Sequence, residues 1–129
     1  MRVRLLLPAV LLTIACRSEP QSPPAPHIAS WRTVGTWSGR GNAQLESFPI
    51  ERRDWRILWE TKNEAANGAA TFHVTLHSAD SGRLMMDAID VHGVGRDVVE
   101  ISEQPHRFYL VVESNDVDWS LTVQEPVMR

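Results

Sequence analysis

The sequence has very little cysteine and lysine: Cys16 is the only cysteine and Lys62 the only lysine among 129 residues. A single cysteine excludes an intrachain disulfide and a metal site built from several thiolates. Every other basic residue except histidine is an arginine. We therefore predict a fold that draws its stability from a hydrophobic core rather than from covalent cross-links.

Catalytic motifs are also missing. The sequence contains no Gly-x-Ser-x-Gly elbow for a serine nucleophile and no His-Glu-x-x-His zinc motif. Its carboxylates show no spacing that would place two of them across a cleft. We therefore expect no catalytic residue, no metal and no cofactor, and we interpret the chain as a non-enzyme. A small hydrolase is the less favoured alternative.

The charge balance argues against a nucleic-acid partner. The formal net charge is −3, with 22% charged and 43% hydrophobic residues, which is ordinary for a globular protein. Loss of Arg2 and Arg4 with an N-terminal signal would change the charge from −3 to −5. A mildly acidic domain with scattered arginines does not offer the basic surface that nucleic acid requires.

Residues 1–16 have the organisation of an export signal. Two arginines precede an apolar run over 5–14, and Ala15 then precedes Cys16. A membrane-spanning helix needs about 20 apolar residues, so this run is too short to cross a bilayer. A positive end, a short apolar run and a small residue before the cleavage point together predict a signal peptide over 1–15.

The end of this segment, Leu12-Thr13-Ile14-Ala15-Cys16, resembles the lipobox of bacterial lipoproteins. Thr13 stands where that family usually has leucine. The resemblance implies that the Cys16 thiol carries a diacylglyceryl group, that the chain is cut before it, and that the new amino terminus receives a fatty acid such as palmitate. It also implies a lipid-anchored protein of the bacterial cell envelope, facing the periplasm or the exterior. The alternative is an ordinary secretory signal that leaves a free thiol.

A proline-rich stretch follows at 17–27, with four prolines among serine, glutamine and glutamate. Such a composition cannot bury enough apolar surface to fold, so we predict a disordered, extended tether. We divide the chain into a signal peptide (1–15), a lipidated cysteine with its tether (16–30) and one β-sandwich domain (31–129).

From residue 31 onward, apolar residues alternate with polar ones, which is typical of β-strands. The pattern is clearest at Asp54–Lys62, where Trp55, Ile57 and Trp59 share one face. Turn residues separate seven or eight such strands at intervals of about 8 to 15 residues, which favours an all-β, antiparallel sandwich.

Two aromatic strands near the C-terminus, Phe108-Tyr109-Leu110 and Trp119-Ser120-Leu121, resemble those of small CUB-like and jelly-roll modules of exported bacterial proteins. The resemblance covers most of residues 31 to 125 and implies two antiparallel sheets packed face to face. It concerns shape, and shape does not determine function. On the last strand, the alternation predicts that Trp119 is buried and that Ser120 faces solvent.

Trp31 and Trp37 are the candidate ligand-binding residues. They flank the first strand, which we expect at a sheet edge, where an exposed tryptophan can stack on a sugar ring or a protein partner. The alternative is that both rings belong to the core. Exposed rings would favour a binding module, whereas buried rings would favour an accessory protein.

Two groups of polar residues are candidates for a metal site. His73 and His77 share a strand face but lie about 13 Å apart, too far for one ion, so we interpret them as residues of a polar face. Asp116 and Asp118 supply oxygen atoms at alternate positions, as a calcium site requires, yet Asn-Asp is also common turn chemistry. Calcium binding at these aspartates therefore stays open.

These observations favour a membrane-tethered binding module that lacks catalytic activity. Its expected partners are membrane lipid, through acylated Cys16, and an envelope protein or glycan at the domain. The alternative is a structural or accessory envelope lipoprotein with no small ligand.

Overall fold

The computed structural model describes Cys16 and residues 23–129. The predicted signal peptide at 1–15, and residues 17–22 of the predicted tether, lie outside the described residues. Within the part that is described, no helix is long and apolar enough to cross a membrane.

Nine β-strands form the domain, and the alternation of side chains predicted their type correctly. The strands are β1 (Ile28–Arg40), β2 (Ala43–Gln44), β3 (Phe48–Ile50), β4 (Asp54–Lys62), β5 (Thr71–Ser78), β6 (Leu84–His92), β7 (Gly95–Ser102), β8 (His106–Asn115) and β9 (Asp118–Met128).

The strands form two antiparallel sheets, which confirms the predicted β-sandwich. Sheet A has the order β1-β9-β4-β7, and sheet B has the order β2-β8-β5-β6, with β3 also paired to β8. β2 and β3 pair with different parts of β8, so they act as one interrupted strand. Counted in this way, eight strands follow the order of a jelly roll.

The strand number and the start of the domain differ in detail from the sequence prediction. Nine strands replace the predicted seven or eight because the irregular stretch around Pro49 pairs twice with β8. β1 begins at Ile28 rather than at residue 31, since its first residues pair with the end of β9. Backbone hydrogen bonds of 3.1 Å in both directions between His27 and Arg129 extend this pairing.

The antiparallel order places the turns at two opposite ends of the sandwich. We call one the tether end, because the chain enters the domain there at His27. It also carries the turns at 51–53, 79–83 and 103–105, and the last residue, Arg129. The other end, the distal end, carries the turns at 41–42, 63–70, 93–94 and 116–117.

The core lies between the inner faces of the two sheets. Trp55 and Trp119 of sheet A are buried against sheet B, and Trp59 packs at the edge of the same cluster. Trp55 stacks on Phe108 at a centroid distance of 5.5 Å, and Trp119 lies 6.2 Å from Phe72. The predicted burial of Trp119 is therefore confirmed, and the shared face of Trp55 and Trp59 is the inner one, although Trp59 is only partly buried.

One charged residue occupies an inward position at the tether end. Glu125 of β9 is only 3% exposed. It forms an ion pair with Arg32 and accepts a hydrogen bond of 3.0 Å from the backbone N–H of Glu51. A buried carboxylate needs such partners, because an unsatisfied one is costly.

Candidate functional site

The first candidate residue, Trp31, lies on the outer face of sheet A near the tether end. It is half-buried and pairs in the sheet with Pro126 of β9. The guanidinium carbon of Arg56, on β4, lies 3.8 Å from the centroid of the Trp31 ring. Arg56 faces outward because it alternates with buried Trp55 and Ile57. A cation at this distance stabilises the position of the ring.

The Arg56 side chain points away from the carboxylate of Glu100, which therefore has no partner among the described residues. In the β4–β7 pairing Arg56 stands directly opposite Glu100. Its Nε instead donates a hydrogen bond of 2.9 Å to Gln124 Oε1 on β9. Within the described chain, Glu100 forms neither an ion pair nor a side-chain hydrogen bond. The guanidinium thus leans toward Trp31 and away from β7.

A hollow of about 410 Å³ opens beside the Trp31 ring, and we call it the Trp31 hollow. Trp31 and Ile28 supply apolar surface, while Asp54, Glu100 and Ser102 supply oxygen atoms. Arg56 does not line the hollow, so its positive charge is not part of this wall. The full lining is Ile28, Trp31, Asp54, Trp55, Glu100, Ile101 and Ser102.

Both carboxylates of the Trp31 hollow are free of protein partners. Asp54 and Glu100 are exposed, and neither bonds another side chain in the described residues. The Ser102 hydroxyl also makes no side-chain hydrogen bond there. The hollow therefore combines an apolar ring, held in position by Arg56, with carboxylate and hydroxyl oxygens that are available to a ligand.

The second candidate residue, Trp37, lies on the opposite side of β1. It is partly buried and packs against the core, with its ring 5.5 Å from that of Phe48. A Cβ atom at Gly35 would collide with the Trp37 ring, so glycine leaves the ring room to lie across the strand. The structure thus separates Trp31 from Trp37, and only Trp31 borders a hollow on the outer face.

Two further hollows extend along the same face toward the distal end. One of about 490 Å³ is bordered by Leu58, Val98 and Thr122, and one of about 420 Å³ by Ser38, Lys62 and Asp118. Both are lined by Glu60 and Ser120, so they are neighbours along β4 and β9.

The outer face of sheet B has a different character, because its polar side chains bond one another. His73 lies 2.8 Å from Asp87 and 3.8 Å from Glu113. The hydrogen bond that the His73 ring donates to the Asp87 carboxylate raises the pKa of His73 above its ordinary value of 6.5, and slight burial opposes this shift. His77 contacts Thr75 at 2.9 Å and stacks on Tyr109 at 5.0 Å.

A serine, a histidine and an aspartate also meet at the tether end. Ser78 Oγ lies 2.9 Å, and Asp80 Oδ2 3.1 Å, from the same atom, Nε2 of His106. In a Ser-His-Asp triad the serine and aspartate oxygens bond opposite nitrogens of the ring, so that the histidine takes the proton of the serine hydroxyl while the aspartate holds the ring in orientation. This trio lacks that geometry.

The aspartates considered for calcium lie at the start of β9: Asp116 is in the turn before it, and Asp118 is its first residue. Asp118 bonds Arg40 Nη1 and Asn63 Nδ2, each at 2.9 Å. These hydrogen bonds lower the pKa of Asp118, and the one from Asn63 has the larger effect. Asp116 has a positive φ of 59°, a turn conformation that aspartate tolerates. Among the described residues, no group of three or more His, Cys, Asp or Glu side chains is placed to hold a metal ion.

Sequence reasoning identified Trp31 but missed Arg56, Asp54 and Glu100. The alternation on β4 marks Arg56 and Asp54 as outward-facing. Their position beside Trp31 depends on β9 lying between β1 and β4, which no local pattern encodes. No family model, no curated protein and no solved structure matches the chain.

Proposed function

We propose that this chain is a lipid-anchored protein of the bacterial cell envelope. Its sandwich domain is a non-catalytic binding module that uses the Trp31 hollow. The anchor rests on residues 12–16, which resemble a lipobox, and on Cys16, the only cysteine of the sequence. Several acyl chains on one residue give stable membrane attachment, whereas a single chain is marginal.

The observation that carries the binding function is the set of unused oxygens in the Trp31 hollow. Asp54 and Glu100 line a cavity of about 410 Å³ together with Trp31, and neither side chain has a partner in the described chain. A concave surface with apolar walls and a few convergent polar groups is the usual form of a ligand site.

The hollow also lies at the end of the sandwich that is closest in sequence to the anchor. Ile28, which lines it, is 12 residues after Cys16. A fully extended chain of 12 residues spans at most about 40 Å. A ligand in the hollow would therefore lie in the envelope layer next to the anchoring membrane.

The anchor is tested by Cys16→Ser. Without the thiol no diacylglyceryl group can attach, so we expect the variant to remain unprocessed or to leave the membrane fraction, with its domain folded. Labelling of cells with a radioactive fatty acid measures the modification directly, and Ser22→Ala is a control outside the lipobox. Label retained on the Cys16→Ser protein would contradict the proposal.

The binding function is tested by affinity capture from envelope extract with the full-length chain in detergent. The bait carries either the native sequence or the double substitution Asp54→Asn, Glu100→Gln, which keeps the size of both side chains. We expect a component that the native bait retains and the variant loses. Equal retention by both baits, or none by either, would favour the accessory role without a ligand.

A further inference from the structure

We infer that the Trp31 hollow binds one uncharged sugar ring of an envelope glycan. This inference rests on the proposed function and adds the chemical class of the ligand. A sugar ring presents an apolar C–H face and a rim of hydroxyl groups. The hollow has both kinds of surface: β1 contributes Trp31 and Ile28, and β4 and β7 contribute the oxygen-bearing side chains together with two apolar residues, Asp54, Trp55, Glu100, Ile101 and Ser102.

The charges of the hollow disfavour an anionic ligand. Asp54 and Glu100 both line it, and no basic residue does. Arg56 lies against the Trp31 ring and outside the lining. An acidic sugar or a phosphate would meet two carboxylates that form no ion pair in the described chain, and like charges at short range repel each other. Arg56, the cation opposite Glu100, is directed to Gln124 and the Trp31 ring instead.

A simple cation is also a poor occupant. The negative face of an aromatic ring attracts cations, but Trp31 already holds the Arg56 guanidinium at 3.8 Å. A second cation against this ring would face that positive charge. Hydroxyl groups avoid the conflict, because they donate hydrogen bonds to carboxylates, and such charge-assisted bonds are strong.

The rest of the outer face of sheet A is better suited to bind a polar glycan chain than to bind a protein surface. Four hydroxyl residues form two cross-strand pairs between β1 and β9, Thr36 with Thr122 and Ser38 with Ser120. None of them makes a side-chain hydrogen bond in the described chain. Protein interfaces instead concentrate apolar and aromatic anchors at their centre, and here Val98 is the one strongly exposed large apolar residue near the middle of the face.

The length of the face allows more than one sugar residue. β4 has nine residues, which corresponds to about 27 Å at roughly 3.4 Å per step. The three hollows follow one another along this length, with Trp31 at one end. We therefore assign the ring-stacking position to Trp31 and the continuation of the glycan to the hydroxyl pairs of β1 and β9.

The experiment is a titration of the full-length chain, in detergent, with four hexasaccharides. The neutral probes are hexamers of glucose and of N-acetylglucosamine, the anionic probe is a hexamer of galacturonic acid, and the cationic probe is a hexamer of glucosamine. We expect a neutral hexamer to bind more tightly than either charged one. With 5-fluorotryptophan in the chain, the resonance of Trp31 should shift and that of buried Trp119 should not.

Three variants locate the contact. Trp31→Ala should weaken binding of the neutral hexamer about tenfold or more, because it removes the stacking surface. The double variant Asp54→Asn, Glu100→Gln should have an effect of similar size, because it replaces charge-assisted hydrogen bonds by neutral ones. Glu46→Gln, at an exposed position on the β2–β3 turn, also neutralises a carboxylate, but outside the Trp31 hollow. It should leave the affinity for the neutral hexamer unchanged.

Each other outcome is informative. Binding of neither neutral hexamer, tighter binding of either charged hexamer, or full affinity in Trp31→Ala would overturn the sugar assignment. If the hexamers fail but envelope capture still depends on Asp54 and Glu100, the binding function stands with another class of ligand. If both experiments fail, the proposed function fails with the inference.

Discussion

The outer faces of the two sheets contrast in how their polar side chains are used. On sheet B, His73 bonds Asp87, and His77 bonds Thr75 and stacks on Tyr109. On sheet A, Asp54 and Glu100 bond no other side chain of the described residues, although Arg56 stands opposite Glu100. Sheet B bonds the polar groups around its aromatic ring to one another, whereas sheet A leaves the two carboxylates near Trp31 available, although other polar residues of that sheet, such as Arg56, are paired.

The contrast teaches that polarity alone does not identify a binding face. Both faces carry alternating polar residues, and both carry an aromatic ring, Trp31 on sheet A and Tyr109 on sheet B. They differ in the partner of that ring. Tyr109 stacks within a hydrogen-bonded group, whereas Trp31 is supported by Arg56 and borders an open hollow.

The largest expected effect on stability tests whether the alternation along β9 assigns its inner and outer positions correctly. Trp119 is 4% exposed and its Nε1 donates a hydrogen bond of 3.0 Å to the Gly41 carbonyl. Trp119→Ala should cost about 3–5 kcal/mol of unfolding free energy, because it removes a buried ring and leaves a cavity. Ser120→Ala, the next residue on the outer side, should stay within about 0.5 kcal/mol.

Urea unfolding of the two variants measures this difference. A wild-type midpoint for Trp119→Ala would mean that the ring does not contribute to the core. The assignment of inner and outer positions on β9, and with it the comparison of the two faces, would then be wrong.

A smaller effect on stability tests the difference between the outer faces of the two sheets. Tyr109→Ala should lower the unfolding free energy by about 1–2 kcal/mol, since it removes a stacked aromatic pair and part of its buried area. Glu100→Gln on sheet A should change it by less than about 0.5 kcal/mol, because the carboxylate has no partner to lose. Chemical denaturation compares both with the native chain, and a larger loss for Glu100→Gln would show a hidden structural role.

The smallest effect concerns the pH dependence of sheet B. The pKa of His73 is raised in the folded state above its ordinary value of 6.5, chiefly by the hydrogen bond to Asp87. Protonated His73 therefore stabilises the fold fully below about pH 6.5, and this contribution is lost as the pH rises through the folded-state pKa.

His73→Gln isolates this contribution. The difference in urea midpoint between the native chain and the variant should be larger at about pH 5.5 than at about pH 8.5. His92→Gln, at the exposed end of β6, is the matched control and should show a weaker dependence. The same difference at both pH values would contradict the assignment of His73 as the titrating group.

The strand pattern was largely readable from the sequence, with exceptions that have physical reasons. Leu84, Met85 and Met86 are consecutive and gave no clear face for β6. In the β5–β6 pairing one register shift leaves Met85 without an opposite residue and a second one leaves Ala88 without one, and Leu84 is 54% exposed. A bulge inserts an extra residue on one strand and so breaks the period of two.

The sequence by itself determined which side of the regularly alternating strands, such as β4 and β9, faces the core, because successive side chains alternate whatever the neighbouring strands are. That was enough to predict the sandwich and the burial of Trp119. Only the tertiary structure decided that Trp31 lies against Arg56 and beside Glu100. These residues are on β1, β4 and β7, and they meet because β9 pairs between β1 and β4. Such long-range pairing depends on the packing of the whole core, which no local alternation specifies.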